Sequence, residues 1–158
     1  MKAHKTNAAR LLDKLNIAYE LIAYAVDEND LSATHVAGQL QENIKQIFKT
    51  LVLEGDRNGH LVCVIPGDAE LNLKAAAKAS QNKNCRLIPL KDLLPLTGYQ
   101  RGGCSPLGLK KPFPTYIDQS ALNFTSIYVS AGQRGLQFKL NPTELVRATG
   151  AIPCALCL

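Results

Sequence analysis

The sequence has no tryptophan, one methionine and few aromatics, which make up 6% of its 158 residues. A basic surface interleaved with stacking rings, the usual platform for gripping single-stranded RNA unaided, is therefore largely missing. No apolar run reaches the length of a membrane span. The start, Met1-Lys2-Ala3-His4-Lys5, leads into a polar helical pattern and not into the apolar centre of a secretion signal, so the expected location is cytoplasmic. Cysteines number five, an odd count, and in that compartment they are expected to be reduced thiols. Cys154-x-x-Cys157 is the single CxxC, and no second Cys or His pair accompanies it as a structural zinc site needs. No metal and no cofactor is expected. G-x-S-x-G, G-x-G-x-x-G and the Walker pattern are all absent, which argues against a serine-hydrolase elbow and against nucleotide folds of those two types. His4, His35 and His60 fall in a tail, on a helix face and at a hairpin exit, none beside a nucleophile in sequence.

What is present describes a globular chain. Hydrophobic residues are 46% and charged residues 20%, with no repeat, low-complexity segment or linker, so residues 1–158 are read as one domain. The net charge of +5 favours an acidic partner such as nucleic acid. Thr6-Asn7 can cap a helix over Ala8 to Leu15 that Asn16 stops, and Tyr19 to Val26 reads as a strand. Ser32 caps a second helix, and Asn43 to Ile47 forms a short helix. Asn58-Gly59 predicts a type I′ hairpin between the strand over 46–53 and His60 to Ile65. Asn72 to Ala79 reads as a helix, Cys85 to Ile88 as a strand, and Lys91 to Leu94 as a helical turn ended by Pro95. Strands are expected at Pro114 to Ile117, Ser126 to Ser130 and Leu136 to Leu140. A last helix is capped by Asn141, with Pro142 in its first turn and Gly150 at its end. Short strands mixed with short helices, without βαβ alternation, predict an α/β (α+β) fold with a mixed, barrel-like sheet surrounded by helices.

Two features carry chemistry. The stretch Gln46-Ile47-Phe48-Lys49-Thr50-Leu51-Val52-Leu53 is apolar on both faces of a strand, yet places an ammonium on one of them. Lys49 either snorkels to solvent as an edge gatekeeper, or points into a pocket at a phosphate or carboxylate. The second feature is glycine. Thr97 to Lys111 holds four of the 11 glycines and three basic residues, and Ala131-Gly132-Gln133-Arg134-Gly135 forms a second turn. Such turns are either ordinary tight connections or places where bare N–H groups approach a ligand and stabilise an oxyanion. Cys104, inside the first loop, reads as a small packed hydrophobe or as a thiol activated by basic neighbours.

These segments, Phe48-Lys49-Thr50-Leu51, Asn72-Leu73-Lys74, Thr97-Gly98-Tyr99 through Gly102-Gly103-Cys104-Ser105-Pro106-Leu107-Gly108, and Ile127 to Gly132 with Arg134-Gly135-Leu136, occur in an order that resembles the YbaK family of aminoacyl-tRNA trans-editing deacylases. That family is similar to the editing insertion domain of bacterial prolyl-tRNA synthetase. The resemblance implies removal of cysteine from mischarged Cys-tRNA(Pro), with Cys-tRNA(Cys) as a further substrate, by attack of the substrate's own thiol and release of a thiolactone. It implies a catalytic role for Lys49, Gly98, Gly102 and Gly103, and substrate contacts from Tyr24, Thr50, Asn72, Ser130 and Gly132. The implied partners are the tRNA 3′ end and prolyl-tRNA synthetase as the protein that delivers it. Cys104 stands where relatives often carry an aliphatic residue, and Gln137 where some carry an acid, so neither an enzyme thiol nor a general base at 137 is expected. The alternatives are hydrolysis of another misacylated tRNA such as Ala-tRNA(Pro), and a non-catalytic tRNA- or synthetase-binding module.

Overall fold

A computed structural model describes residues 5–158; His4 and the rest of the first four residues lie outside the described part. The first helix, α1 (Asn7–Lys14), starts where Thr6 accepts a hydrogen bond from Ala9 N, and Asn16 follows it in the left-handed region at φ 57°. Strand β1 (Tyr19–Ala23) ends three residues earlier than the pattern predicts, and α2 (Ala33–Leu40) is capped by Ser32. A 3-10 turn, Ile44–Gln46, leads into β2 (Phe48–Gly55), which pairs along its whole length with β3 (Gly59–Pro66).

The hairpin between them corrects the expected turn. Gly59 alone takes a positive φ, 76°, and Asn58 does not, so the connection is the three-residue Asp56-Arg57-Asn58 and not a two-residue type I′ turn. Asn82 holds it in that shape: its Oδ1 accepts from Arg57 N at 2.9 Å and Asn58 N at 2.8 Å. Tertiary contacts chose the turn type here.

Helix α3 (Leu73–Ala79) follows the Asn72 cap, and β4 (Cys85–Leu87) is short. A 3-10 turn then runs directly into α4 (Leu93–Thr97), which contains Pro95. Pro95 was expected to end this segment. It sits instead in the first turn of α4, where a missing N–H costs nothing. Strands β5 (Thr115–Asp118), β6 (Ile127–Ser130) and β7 (Leu136–Leu140) and helix α5 (Pro142–Thr149) stand where the pattern puts them. The strand β8 (Ile152–Cys154) does not: the tail bearing the CxxC continues the sheet beside β5.

The strands form two sheets, one in the order β1-β7-β6 and one in the order β4-β2-β3-β5-β8. The larger is mixed, with β2 antiparallel to β3 and β4, and β5 parallel to both its neighbours. A parallel bridge between Ile47 and Tyr128 links the two sheets, but they do not close into a barrel. The main core lies between them and under α1 and α5, built from Leu12, Phe48, Val52, Val62, Val64, Ile117, Val129, Phe138 and Leu145. The other face of the larger sheet (Leu53, Leu61, Cys63, Ile65, Tyr116) is covered by Ala76 of α3 and Leu156 of the tail. Phe48 and Val52 thus face one cluster and Leu51 and Leu53 the other, as alternation along β2 requires.

Candidate active site

The edge of β2 away from β3 is only partly covered. β4 pairs with Leu53 to Gly55, and the bridge to β6 lies at Ile47. Ile88 N donates to Val52 O at 3.1 Å, so the backbone groups of Val52, and by alternation those of Thr50, point to this edge. Between Lys49 and Leu51 that edge has no strand neighbour among the described residues. A cavity of about 510 Å³ fills the gap, within the range of small-ligand sites. Its walls are the start of α2 with Leu31 and Ser32, the segment Leu87 to Leu93, the loop residues Arg101, Gly102 and Cys104, and Ser130 and Gln137 from the smaller sheet. Because the gap sits at an edge, residues of both strand faces reach it: Ile47 through Val52 line the cavity consecutively.

Lys49 is half-buried, and its Nζ donates to Gly67 O at 3.2 Å. It makes no ion pair with an acid among the described residues. Arg101 is the second cation in the lining, and no Asp or Glu is in the lining at all. The cavity is therefore a cationic site with uncommitted ammonium protons, suited to an anionic or ester-bearing ligand. Cys104 is its one thiol. Burial pushes that thiol up to about 12, against a smaller opposing effect of a hydrogen bond with Thr97, so at neutral pH it is protonated and a poor nucleophile.

The two glycine turns meet beside the cavity. Arg134 Nε donates to Arg101 O at 2.8 Å, and a methyl group on Gly103 would come within 3.0 Å of Arg134 N. Several of their N–H groups are already engaged. Gly98 N donates to Leu94 O, Gly103 N to Gln100 O and Gly132 N to Ser130 Oγ. Gly102 N–H has no acceptor among the described residues, and Gly102 alone of these four glycines lines the cavity.

The residues implied as a site thus divide. Lys49, Thr50, Gly102 and Ser130 share the cavity. Gly98 ends α4 in the left-handed conformation at φ 83°, and Gly103 and Gly132 pack loop on loop or against Tyr99. Tyr24 packs with Val36, Ala37, Ile47 and Tyr128, behind the wall that Val36 and Ile47 form. Asn72 is away from the lining, and its Oδ1 caps α3 by accepting from Ala75 N at 3.1 Å. Three contributors escaped sequence reasoning: Gly67, Arg101 and the start of α2. Pro66-Gly67-Asp68 reads as an ordinary turn, and nothing local reveals that its carbonyl meets Lys49. Among the described residues no group of three or more His, Cys, Asp or Glu side chains gathers as a metal would require.

A two-sheet α/β fold with a cationic cavity at an open strand edge, and without an activated nucleophile in it, defines a ligand-positioning domain. The aminoacyl-tRNA editing domain family matches residues 27–148, and the chain belongs to that family. A protein of Enterococcus faecalis named as a Cys-tRNA(Pro)/Cys-tRNA(Cys) deacylase, EbsC, is 48% identical over 145 residues, 92% of this chain and 88% of that protein. A proline–tRNA ligase of Fervidobacterium nodosum is 32% identical over 82 residues, 52% of this chain but 14% of the ligase. Among solved structures, that of hypothetical protein APE2540 superposes with a TM-score of 0.86 at 25% identity, covering 94% of this chain and 97% of the other. One described as a trans-editing enzyme for prolyl tRNA synthetase gives 0.81 at 24% identity, covering 97% and 98%, a likeness of fold. No helix among the described residues is long and apolar enough to cross a membrane.

Proposed function

We propose that residues 1–158 act as one trans-editing domain that removes cysteine from Cys-tRNA(Pro), with Cys-tRNA(Cys) as a second substrate. The observation that carries this reading is the composition of the cavity: two cations, a protonated thiol and no carboxylate. Such a site offers no activated enzyme nucleophile and no carboxylate base, which favours an attacking group supplied by the substrate. A cysteinyl ester has one. Its Sγ attacks its own carbonyl carbon, the C–S bond forms, the ester C–O bond breaks, and the thiol proton ends on the released ribose hydroxyl. The products are a thiolactone and free tRNA. The protein's share is positioning and charge stabilisation, which together are worth several kcal/mol of a barrier of this type. Lys49 and Arg101 hold the terminal phosphate or ribose, and Gly102 N–H is a backbone donor open to the oxyanion. Cysteine and proline are alike in volume, which is why a synthetase that misactivates cysteine needs a second site. Prolyl-tRNA synthetase is the proposed delivery partner, in the cytoplasm, since the chain has few aromatics with which to hold RNA alone.

The test is deacylation of Cys-tRNA(Pro) with the released product identified by mass. A thiolactone is expected; free cysteine, or equal turnover of Ala-tRNA(Pro), would move the reading to hydrolysis. Lys49→Ala is expected to abolish turnover. A protein that binds charged tRNA and releases nothing would be a binding module instead.

A further inference from the structure

Two buried side-chain atoms of the described chain have no hydrogen-bond partner, Thr50 Oγ1 and Gln137 Oε1. Leaving a buried acceptor unpaired destabilises a fold, and proteins rarely retain the arrangement without use for it. These two are not scattered. Both residues line the one cavity in which Lys49 sits. Gln137 is 5% exposed, on the central strand β7, where it faces Ser130 of β6 and Ile22 of β1. Its neighbour Ser130 is occupied, since its Oγ accepts from Gly132 N at 3.2 Å. Thr50 comes from the open edge of β2. A hydroxyl rotor and a terminal amide, which turns readily about its last torsion, are therefore uncommitted in the lining of one cavity.

The chemistry of the lining says what they would meet. An aminoacyl ester carries phosphate, an ester carbonyl and a free α-amino group. Lys49 and Arg101 suit the phosphate and repel an ammonium. With no Asp or Glu in the lining, an ammonium can be met there only by neutral acceptors. We infer that Thr50 Oγ1 and Gln137 Oε1 together recognise the free α-amino group of the aminoacyl ester, an assignment that rests on the editing function proposed above. They are specificity residues, and their effect is to reject esters whose amino group is blocked, as it is in peptidyl-tRNA. The neutral amide at 137 holds the group without removing its proton.

The test reads binding apart from turnover. The probes are 3′-cysteinylamino-3′-deoxyadenosine, an amide analogue of the charged tRNA end, and the same molecule N-acetylated. Wild type is expected to prefer the free amine by about 10-fold, the scale of one well-made hydrogen-bonded contact to a charged group. Gln137→Leu and Thr50→Val should each erode that preference, and Gln137→Glu, which keeps the acceptor, should restore it. Thermal unfolding of Gln137→Leu should occur no lower than in wild type, because no protein partner is lost. A preference unchanged in Gln137→Leu, or a wild type that does not distinguish the probes, overturns the inference. A wild type that distinguishes them yet fails to release cysteine from Cys-tRNA(Pro) leaves this inference standing and defeats the proposed function instead.

Discussion

Lys49 and Cys104 line the same cavity and have opposite standing in it. The lysine is half-buried among apolar neighbours with one backbone carbonyl for company, which is a costly place for an ammonium that serves only stability. The cysteine is a protonated thiol packed under a loop. Cys104→Ser should therefore keep deacylase activity within about threefold of wild type, measured as initial rate on Cys-tRNA(Pro), whereas an enzyme-thiol mechanism would lose 10³-fold or more, roughly the scale of losing a nucleophile. Asn72 separates a structural from a catalytic role in the same manner. As the cap of α3 it is worth about 1 kcal/mol. Asn72→Ala should lower the urea midpoint by the equivalent of that amount and leave turnover per folded molecule unchanged. If turnover falls while stability does not, Asn72 touches the substrate after all.

Between elements a tight joint lies at Gly67. A methyl group there would lie 2.3 Å from Ala33 Cβ and 3.0 Å from Ile47 O, so the start of α2 would have to move away from β2. Gly67→Ala should cost about 1–3 kcal/mol by denaturant unfolding, as overpacking does, and should lower activity because α2 forms one wall of the cavity. This joint also marks where the sequence stops being readable. Helices with their own stop signals, such as α5 between Asn141 and Gly150, and strands with their own alternation, such as β7, are legible because the information is local. Lys49 stands out for the same reason, as a charge within an apolar strand. The shape of the 56–58 turn, the role of Gly67 and the strand β8 depend on what another part of the chain does. Asn82 fixes the turn from 24 or 25 residues away, and β8 exists because β5 offers it an edge. No window along the sequence contains those partners. The glycine loops illustrate a finer limit: their residues were visible, but which N–H groups remain free was not, since Gly98, Gly103 and Gly132 donate within the protein itself.

At the scale of the whole molecule, the tail is fastened through Asp118. Burial would push this carboxyl up, but hydrogen bonds from the Ser120 hydroxyl and from Leu156 N and Ser120 N outweigh it and hold the carboxyl below its ordinary range. A depressed folded-state value means that the stabilisation is present above the unfolded-state pKa of about 4 and is lost as pH falls through the lower, folded one. Asp118→Asn should therefore reduce stability at pH 7, and the difference from wild type should shrink below about pH 4, where the wild-type carboxyl takes up its proton. Urea melts across that range check it, and a constant difference at every pH would assign the effect to packing. One consequence belongs to the gap in β2. Its open rungs are few and lie in a recess between α2 and the 87–93 segment, so they offer another extended polypeptide little to pair with. A ligand that docks there meets side chains of α2, the 87–93 segment and the smaller sheet at once, so its recognition rests on those side chains more than on strand pairing.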